Sequence, residues 1–498
     1  MLYLKSDLEG LLEALTKFGD YTFKKYNLNI TSFKTLSGLA FAAYLTSYLP
    51  DNLRSELKIV KGELEKEIRK SYFGGNVDVF ANEITDGYLY DINSQYPTAM
   101  LNDMPIGDPV LSLETNINKI FGFIYGEITA PDEQTLKVPF IQYKDPITKL
   151  TVCPKGKFKR LILSEEIKYA LKFGYKMDVE YCYQFKRGID LFKDFVLDHY
   201  EIKKNSKDPV KISIAKLLLN TLYGRFGMKD IDSIMRIVDL DEAKYLDKNT
   251  NVSVLSELSD NKYFIKYKGK INDSLRKNYK NDPFISDIGQ MIHYNRDDLR
   301  KSGLNKNLNV PSAVHIAAAI ASYARIIINE YKNIPDNPCI MSDTDSAVLP
   351  YSLPDHLVGK ELGKMKLVHK IKKGIFIKKK LYYILTSDNQ EIIRSSGINS
   401  SRLSHESFIQ LLQGETIFIE RTTFNLDWDE LSLNVVNSDI KIQGLQGEIK
   451  SFNYTPNKIA KININIPKLT TLELLIYFIF IFSILSLFAL FLYKIYNL

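Results

Sequence analysis

A mixed α+β protein of several domains is what the sequence predicts, and three observations carry that prediction. The chain has 498 residues, room for roughly three domains of about 150 residues each. With 45% apolar and 25% charged residues, wholesale disorder is excluded. Windows with apolar residues at helical spacing alternate with short aromatic and β-branched runs bounded by turn residues, so helices and strands are interleaved.

In chain order, Ser6 followed by Glu9 reads as a capping box, after which Leu8, Leu11, Leu12, Leu15 and Phe18 recur on one helical face. Further helices are expected at about 53–70, 163–174, 190–224 and 313–331, and strands at about 86–92, 121–128, 338–349 and 382–386. Gly74 and Gly75 break the chain behind a charged helix and mark a linker. Asn- and Lys-rich stretches across 247–310 read as inserted surface structure. Cys153, Cys182 and Cys339 are too scattered for a disulfide framework or a zinc cluster, which points to a reducing compartment. Residues 474–493 carry no charge, are bracketed by Glu473 and Lys494, and would span about 30 Å as a helix. A membrane-spanning tail is therefore expected there in preference to a buried core helix. Asp7, Glu9 and Glu13 come early and the first arginine is Arg54, so no import leader is expected. Together with the richness in Lys, Asn, Ile and Tyr, this points to an organelle- or plasmid-encoded gene product.

Four constellations carry chemistry. Tyr88, Tyr90 and Asp91 read as a strand ending in a carboxylate, with Asn93 or Ser94 capping a short helix whose N–H groups would face a triphosphate; an ordinary strand-end Asp is the alternative. In residues 211–227, Lys216, Asn220 and Tyr223 share one helix face while Leu217, Leu218 and Leu222 turn elsewhere. Such a face suits an incoming nucleotide, with Gly224 and Gly227 permitting close backbone approach; a plain amphipathic helix is the alternative. Asp343 and Asp345 sit at the tip of an apolar hairpin, where two carboxylates repel unless a cation bridges them, and oxygen-only ligands suit Mg²⁺; a solvated acidic turn would look similar. Residues 364–380 hold eight Lys and no acid, interleaved with Leu367, Ile371 and Phe376, a folded basic face fit for phosphate backbone or simply for solvent.

The order of these pieces is what two-metal phosphoryl transfer needs: acid, basic helix, paired acids, then a basic segment. At this point the residues resemble family B DNA polymerases of the protein-primed kind found in organellar linear plasmids and related viruses. Asp91 to Pro97 is similar to the family's D-x-x-S-L-Y-P, Lys216 to Gly224 to its K-x-x-x-N-S-x-Y-G, and Asp343 to Ser346 to its D-T-D-S. Lys380 and Tyr382 resemble the K-x-Y that grips the primer end, and Tyr72, Gly74 and Gly75 the Y-x-G-G linker. Tyr3 and Asp7 resemble the third exonuclease motif, the first two being absent. The match covers roughly residues 1–400. Gln95 replaces the usual Leu, Thr221 the usual Ser, and Met341 a Tyr before D-T-D-S.

The resemblance implies a right-hand polymerase: exonuclease remnant (1–70), linker (71–80), palm with an inserted subdomain (81–190), fingers (191–230), second insertion (231–310), palm (311–400) and thumb (401–465), followed by the hydrophobic tail (470–495). It implies a DNA-directed DNA polymerase in which Asp91, Asp345, Asp343 and the Ile92 carbonyl hold two Mg²⁺ ions, with Mn²⁺ as an alternative. Tyr96 would exclude a ribose 2′-hydroxyl, Lys216, Asn220, Tyr223 and Gly224 would bind the incoming dNTP, and Lys204 would add a phosphate contact. Tyr72, Gly74, Gly75, Lys380 and Tyr382 would hold template–primer DNA, and a terminal protein would prime. The expected location is the mitochondrion, with a membrane tether through 474–493. An inactive membrane-bound DNA-binding relic is the alternative function.

Overall fold

The computed structural model describes residues 2–446, apart from 34, 61, 133–134, 229–233, 250–251, 259–261, 268–312 and 428–431. The tail expected at 470–495, most of the second insertion and the end of the thumb lie outside the described residues. Among the described residues no helix is long and apolar enough to cross a membrane.

The centre is a seven-stranded antiparallel sheet, in the order Val77–Val79, Met341–Asp343, Ser346–Leu349, Glu83–Ile92, Met365–Lys378, Leu381–Thr386 and Glu391–Ser395. Side chains alternate across its two faces. Tyr90, Ile92, Ala347, Leu349 and Met365 pack on Ile328 and Tyr331 of the long helix Val314–Lys332. Leu89, Met341, Val348, Ile371 and Phe376 cluster on the opposite face. The strand expected over 338–349 is thus a hairpin of two, folded where polar residues interrupt the apolar run.

Between the strand Glu83–Ile92 and the next helices stands a separate sheet, ordered Met104–Ser112, Lys176–Gly188, Gly122–Thr129 and Lys157–Leu163, backed by the helix Ser164–Leu171. Ile124, Ile128, Phe140, Ile162 and Ile167 form its own core, as an inserted subdomain requires. The helix expected over 190–224 is two helices, Lys193–Asn205 and Pro209–Phe226. Asp208 makes the break: its carboxylate accepts from the N–H groups of Val210 at 2.9 Å and Lys211 at 3.4 Å, and Pro209 opens the second helix.

At the N-terminus, the helix begins at Leu2, so Ser6 lies inside it and caps nothing. Leu8, Leu11, Leu12 and Leu15 form the expected stripe, but exposed to solvent. The helix expected over 53–70 is two short ones, Asp51–Arg54 and Gly62–Ser71, and the second opens at Gly62, whose φ of +68° suits glycine. The helix Leu36–Ser47 packs on Pro209–Phe226 through Phe41 against Phe226, and Tyr26 at the end of the first helix shares a 2.7 Å hydrogen bond with buried His199 of Lys193–Asn205.

After Pro209–Phe226, the strands Ile234–Asp239, Val252–Leu258 and Lys262–Tyr267 form a small sheet with the helix Leu240–Asn249. After the central sheet, the helix His405–Leu412 and the hairpin Thr416–Asp427 with Ser432–Gln443 share a core with Ile375 and Tyr383. The three cysteines are free. Burial raises the thiols of Cys153 and Cys339 to about 12, so neither is a reactive thiolate.

Candidate active site

Strand register brings the acids together. Ser346 pairs with Asp343 on one side and with Asp91 on the other, and Asp91 pairs in turn with Lys366. Residues opposite one another share a face, so Asp343, Ser346, Asp91 and Lys366 form one row across the sheet, away from the long helix. Asp343 and Asp91 are two strand spacings apart, about 10 Å.

Asp345 comes from the turn between them. Its carbonyl accepts from the Ile92 N–H at 2.8 Å, and its own N–H donates to the Asp343 carbonyl at 2.8 Å. Thr344, at the tip, has a left-handed φ of 63°. Gly75 lies against it so closely that a Cβ there would stand 2.6 Å from the Thr344 methyl. The linker glycine is therefore small because the turn occupies the space a side chain would need.

Crowded carboxylates show in their proton affinity. Burial, then the charges of Asp91 and Asp343, push the Asp345 carboxyl up to about 6, with Lys380 opposing. Burial also raises Asp91, while Lys366, Lys203 and Lys216 pull it back. Lys380, at the tip of the next hairpin, places its ammonium 2.8 Å and 3.1 Å from the two Asp343 oxygens. The residue expected on the primer end is thus the counter-ion of Asp343 here.

The helices Lys193–Asn205 and Pro209–Phe226 bring Lys203 and Lys216 to this row. Lys216 and Asn220 are exposed on the second helix and Tyr223 is half-buried; of the leucines that turn elsewhere, Leu218 and Leu222 are buried and Leu217 is exposed. Tyr223 stacks on Tyr96 with ring centroids 4.2 Å apart and planes 12° from parallel. Ser94 does not cap the short helix Gln95–Ala99; its hydroxyl accepts from Lys203 at 2.6 Å. Lys203 is the residue that sequence reasoning missed: the expected phosphate contact, Lys204, is exposed on the next position round the helix. Burial, then repulsion from Lys216 and Lys366, lowers the Lys203 ammonium. The signal that could have found it is the phase of its own helix, because Lys203 lies four residues after His199 on the side that buries Phe195 and His199.

Of the two fingers glycines, Gly227 admits the Tyr72 ring, 2.7 Å from where its Cβ would be, whereas a side chain at Gly224 would meet open space. The linker carbonyls of Phe73 and Gly74 accept from Arg325 at 2.8 Å and 3.2 Å. Arg325 itself is buried in a bidentate pair with Glu166 of the inserted subdomain, both bonds 2.7 Å. Burial would raise the Glu166 carboxyl, but Arg325 draws it below the ordinary range. Tyr382 is half-buried on the same hairpin as Lys380.

Oxygen donors, mutual repulsion and a lysine already on Asp343 are the environment a divalent cation would relieve. Among the described residues no three His, Cys, Asp or Glu side chains already close into one metal cage. Asp91 and Asp345, with Asp343 if Lys380 moves, are the residues fitted to hold it.

The model of type B DNA polymerases of organelles and viruses matches residues 1–337. The chain belongs to the organellar and viral type B DNA polymerases. Relatives in this family include a probable DNA polymerase of Agaricus bitorquis, 40% identical over 453 residues, which covers 89% of this chain and 56% of that protein. A probable DNA polymerase of Podospora anserina is 33% identical over 82% of the chain and 34% of its own length. The chain therefore spans about half or less of these polymerases. Its fold is similar to that of phi29 DNA polymerase in complex with primer-template DNA and incoming nucleotide, with a TM-score of 0.58 at 18% identity, over 82% of this chain and 67% of that one.

Proposed function

We propose that the chain is a DNA-directed DNA polymerase that adds dNTPs to a primer 3′-hydroxyl by two-metal phosphoryl transfer. The observation that carries this is the register: Asp91 and Asp343 in one row, with Asp345 between them, facing Lys203 and Lys216. Asp91, Asp345 and the Ile92 carbonyl would hold the ions, and Asp343 would join them when Lys380 turns to the primer. Bound there, two Mg²⁺, or Mn²⁺, would promote ionisation of the 3′-hydroxyl and neutralise the leaving pyrophosphate. Lys203, Lys216 and Asn220 bind and orient the triphosphate; the positive charge of Lys203 and Lys216 beside Asp91 is what an anion would offset. The stacked Tyr96 and Tyr223 wall the nucleotide and leave no room for a 2′-hydroxyl. Tyr72, Gly74, Gly75 and Tyr382 belong to the DNA path in this reading, on the motifs that they resemble.

In the same reading, residues 1–70 derive from an exonuclease domain, and priming is by a terminal protein. The family's organellar and viral membership supports a linear plasmid or organellar replicon as its template, with the mitochondrion as its location. The 474–493 segment would tether it to a membrane.

The test is primer extension by the full-length chain on a primed template. Extension should require a divalent ion and vanish in Asp345→Ala while the variant stays folded. Undiminished extension in excess chelator would refute the two-metal assignment, and DNA binding without extension under any metal would favour the inactive relic.

A further inference from the structure

Gln95 stands where the family motif usually has Leu, and it makes contacts that a Leu cannot. It is 2% exposed, and its Nε2 donates to the Thr344 carbonyl at 3.1 Å and to the Ala324 carbonyl at 2.8 Å. Two carbonyl acceptors fix which end of the amide is nitrogen. Thr344 is the tip of the acidic turn, held in a left-handed conformation between Asp343 and Asp345.

Each peptide of that turn has a partner on a different element. The Thr344 N–H donates to Asn76 of the linker at 2.9 Å, and the Asp345 carbonyl accepts from Ile92 of the first acidic strand at 2.8 Å. The Thr344 carbonyl is the remaining handle, and it lies in the peptide plane that leads into Asp345. Gln95 holds it and, through Ala324, ties it to the long helix. Removing the donor would take from the half-buried Thr344 carbonyl its side-chain partner and leave one end of that plane free to rotate, while the Ala324 carbonyl keeps its place in the helix ladder.

We propose that Gln95 is a positioning residue for Asp345, locking the turn at the angle at which that carboxylate meets Asp91. Its kinetic consequence rests on the polymerase reading above; its effect on cation binding does not. The helix Gln95–Ala99 would thus serve both sides of the site, with Tyr96 towards the fingers and Gln95 towards the acids.

The experiment compares full-length wild type, Gln95→Leu, the shape-matched Gln95→Met and Asp345→Asn. Mn²⁺ binding without DNA or nucleotide is followed by electron paramagnetic resonance, single-nucleotide extension is measured in Mg²⁺, and melting curves verify folding. Both Gln95 variants should weaken Mn²⁺ binding about 10-fold and lower kcat about 10-fold, since groups that orient ligands typically contribute 10- to 100-fold. The dNTP KM should stay within about twofold, because no nucleotide contact is lost. A folded Gln95 variant that binds Mn²⁺ and turns over as wild type does overturns the proposal. So does a fall in melting temperature alone, or failure of both variants to fold, either of which makes Gln95 a fold determinant only. Wild type that binds Mn²⁺ but extends no primer would defeat the polymerase reading while leaving the Mn²⁺ comparison to decide Gln95; wild type that binds no Mn²⁺ overturns this inference.

Discussion

Asp345→Asn should abolish nucleotide addition and at the same time stabilise the metal-free protein. In the folded chain the carboxyl rises from an ordinary 3.8 to about 6, first through burial and then through Asp91 and Asp343. A raised carboxylate favours folding only while it is protonated. Its stability is therefore fully present below about pH 4 and is lost as the pH climbs through about 6. At about 1.4 kcal/mol per tenfold, the ionised form costs the folded state at most about 3 kcal/mol at neutral pH. An amide of the same shape avoids that repulsion. Urea unfolding in chelator should find Asp345→Asn more stable than wild type by about 1–3 kcal/mol at pH 7.5, with the gap closing towards pH 4. Added Mg²⁺ should restore wild type and leave the variant unmoved, since the cation offsets a charge the variant lacks. A variant less stable than wild type in chelator at pH 7.5, or a gap that ignores pH, would refute the reasoning.

Lys203→Met should raise the dNTP KM about 10-fold, the scale of a lost hydrogen bond to a charged group, while Lys204→Met leaves it nearly unchanged; steady-state extension distinguishes them. Tyr96→Val should open the space beside Tyr223 and raise the ratio of rNTP to dNTP incorporation roughly 10-fold, measured by single-nucleotide kinetics. Glu166→Gln should destabilise the fold by about 3–5 kcal/mol, because Arg325 is left buried without its counter-charge, and denaturant melts should show it. Since Arg325 also holds the Phe73 and Gly74 carbonyls, the same variant should weaken template–primer binding in a gel-shift assay.

Periodicity is local, so much of what depended on it was legible in the sequence. The Lys216, Asn220 and Tyr223 face, the strand ending at Asp91 and the Asp343–Asp345 turn each follow from the spacing of a few neighbouring residues. The break at Asp208 and Pro209 is equally local, but apolar residues on both sides keep helical phase and hide it. Ser6 failed as a cap because Leu2–Tyr26 extends the helix upstream of it. Exposure of Leu8, Leu11, Leu12 and Leu15 was not legible, since a sequence shows which face is apolar and not whether anything covers it.

By itself the sequence determined the identity of the chemical groups, their order and the elements that carry them. Only the tertiary structure decided which of them meet. Asp91 and Asp343 are separated by some 250 residues, and one strand, Ser346–Leu349, sets their spacing through its register. Lys203 rather than Lys204, Gly75 against Thr344, Lys380 on Asp343 and Gln95 under the turn are all contacts between segments remote in sequence. The physical reason is range. Helix and strand formation follow backbone geometry within a few residues, whereas a carboxylate's proton affinity and reach depend on burial and on charges that the packed sheet alone brings within a few ångströms.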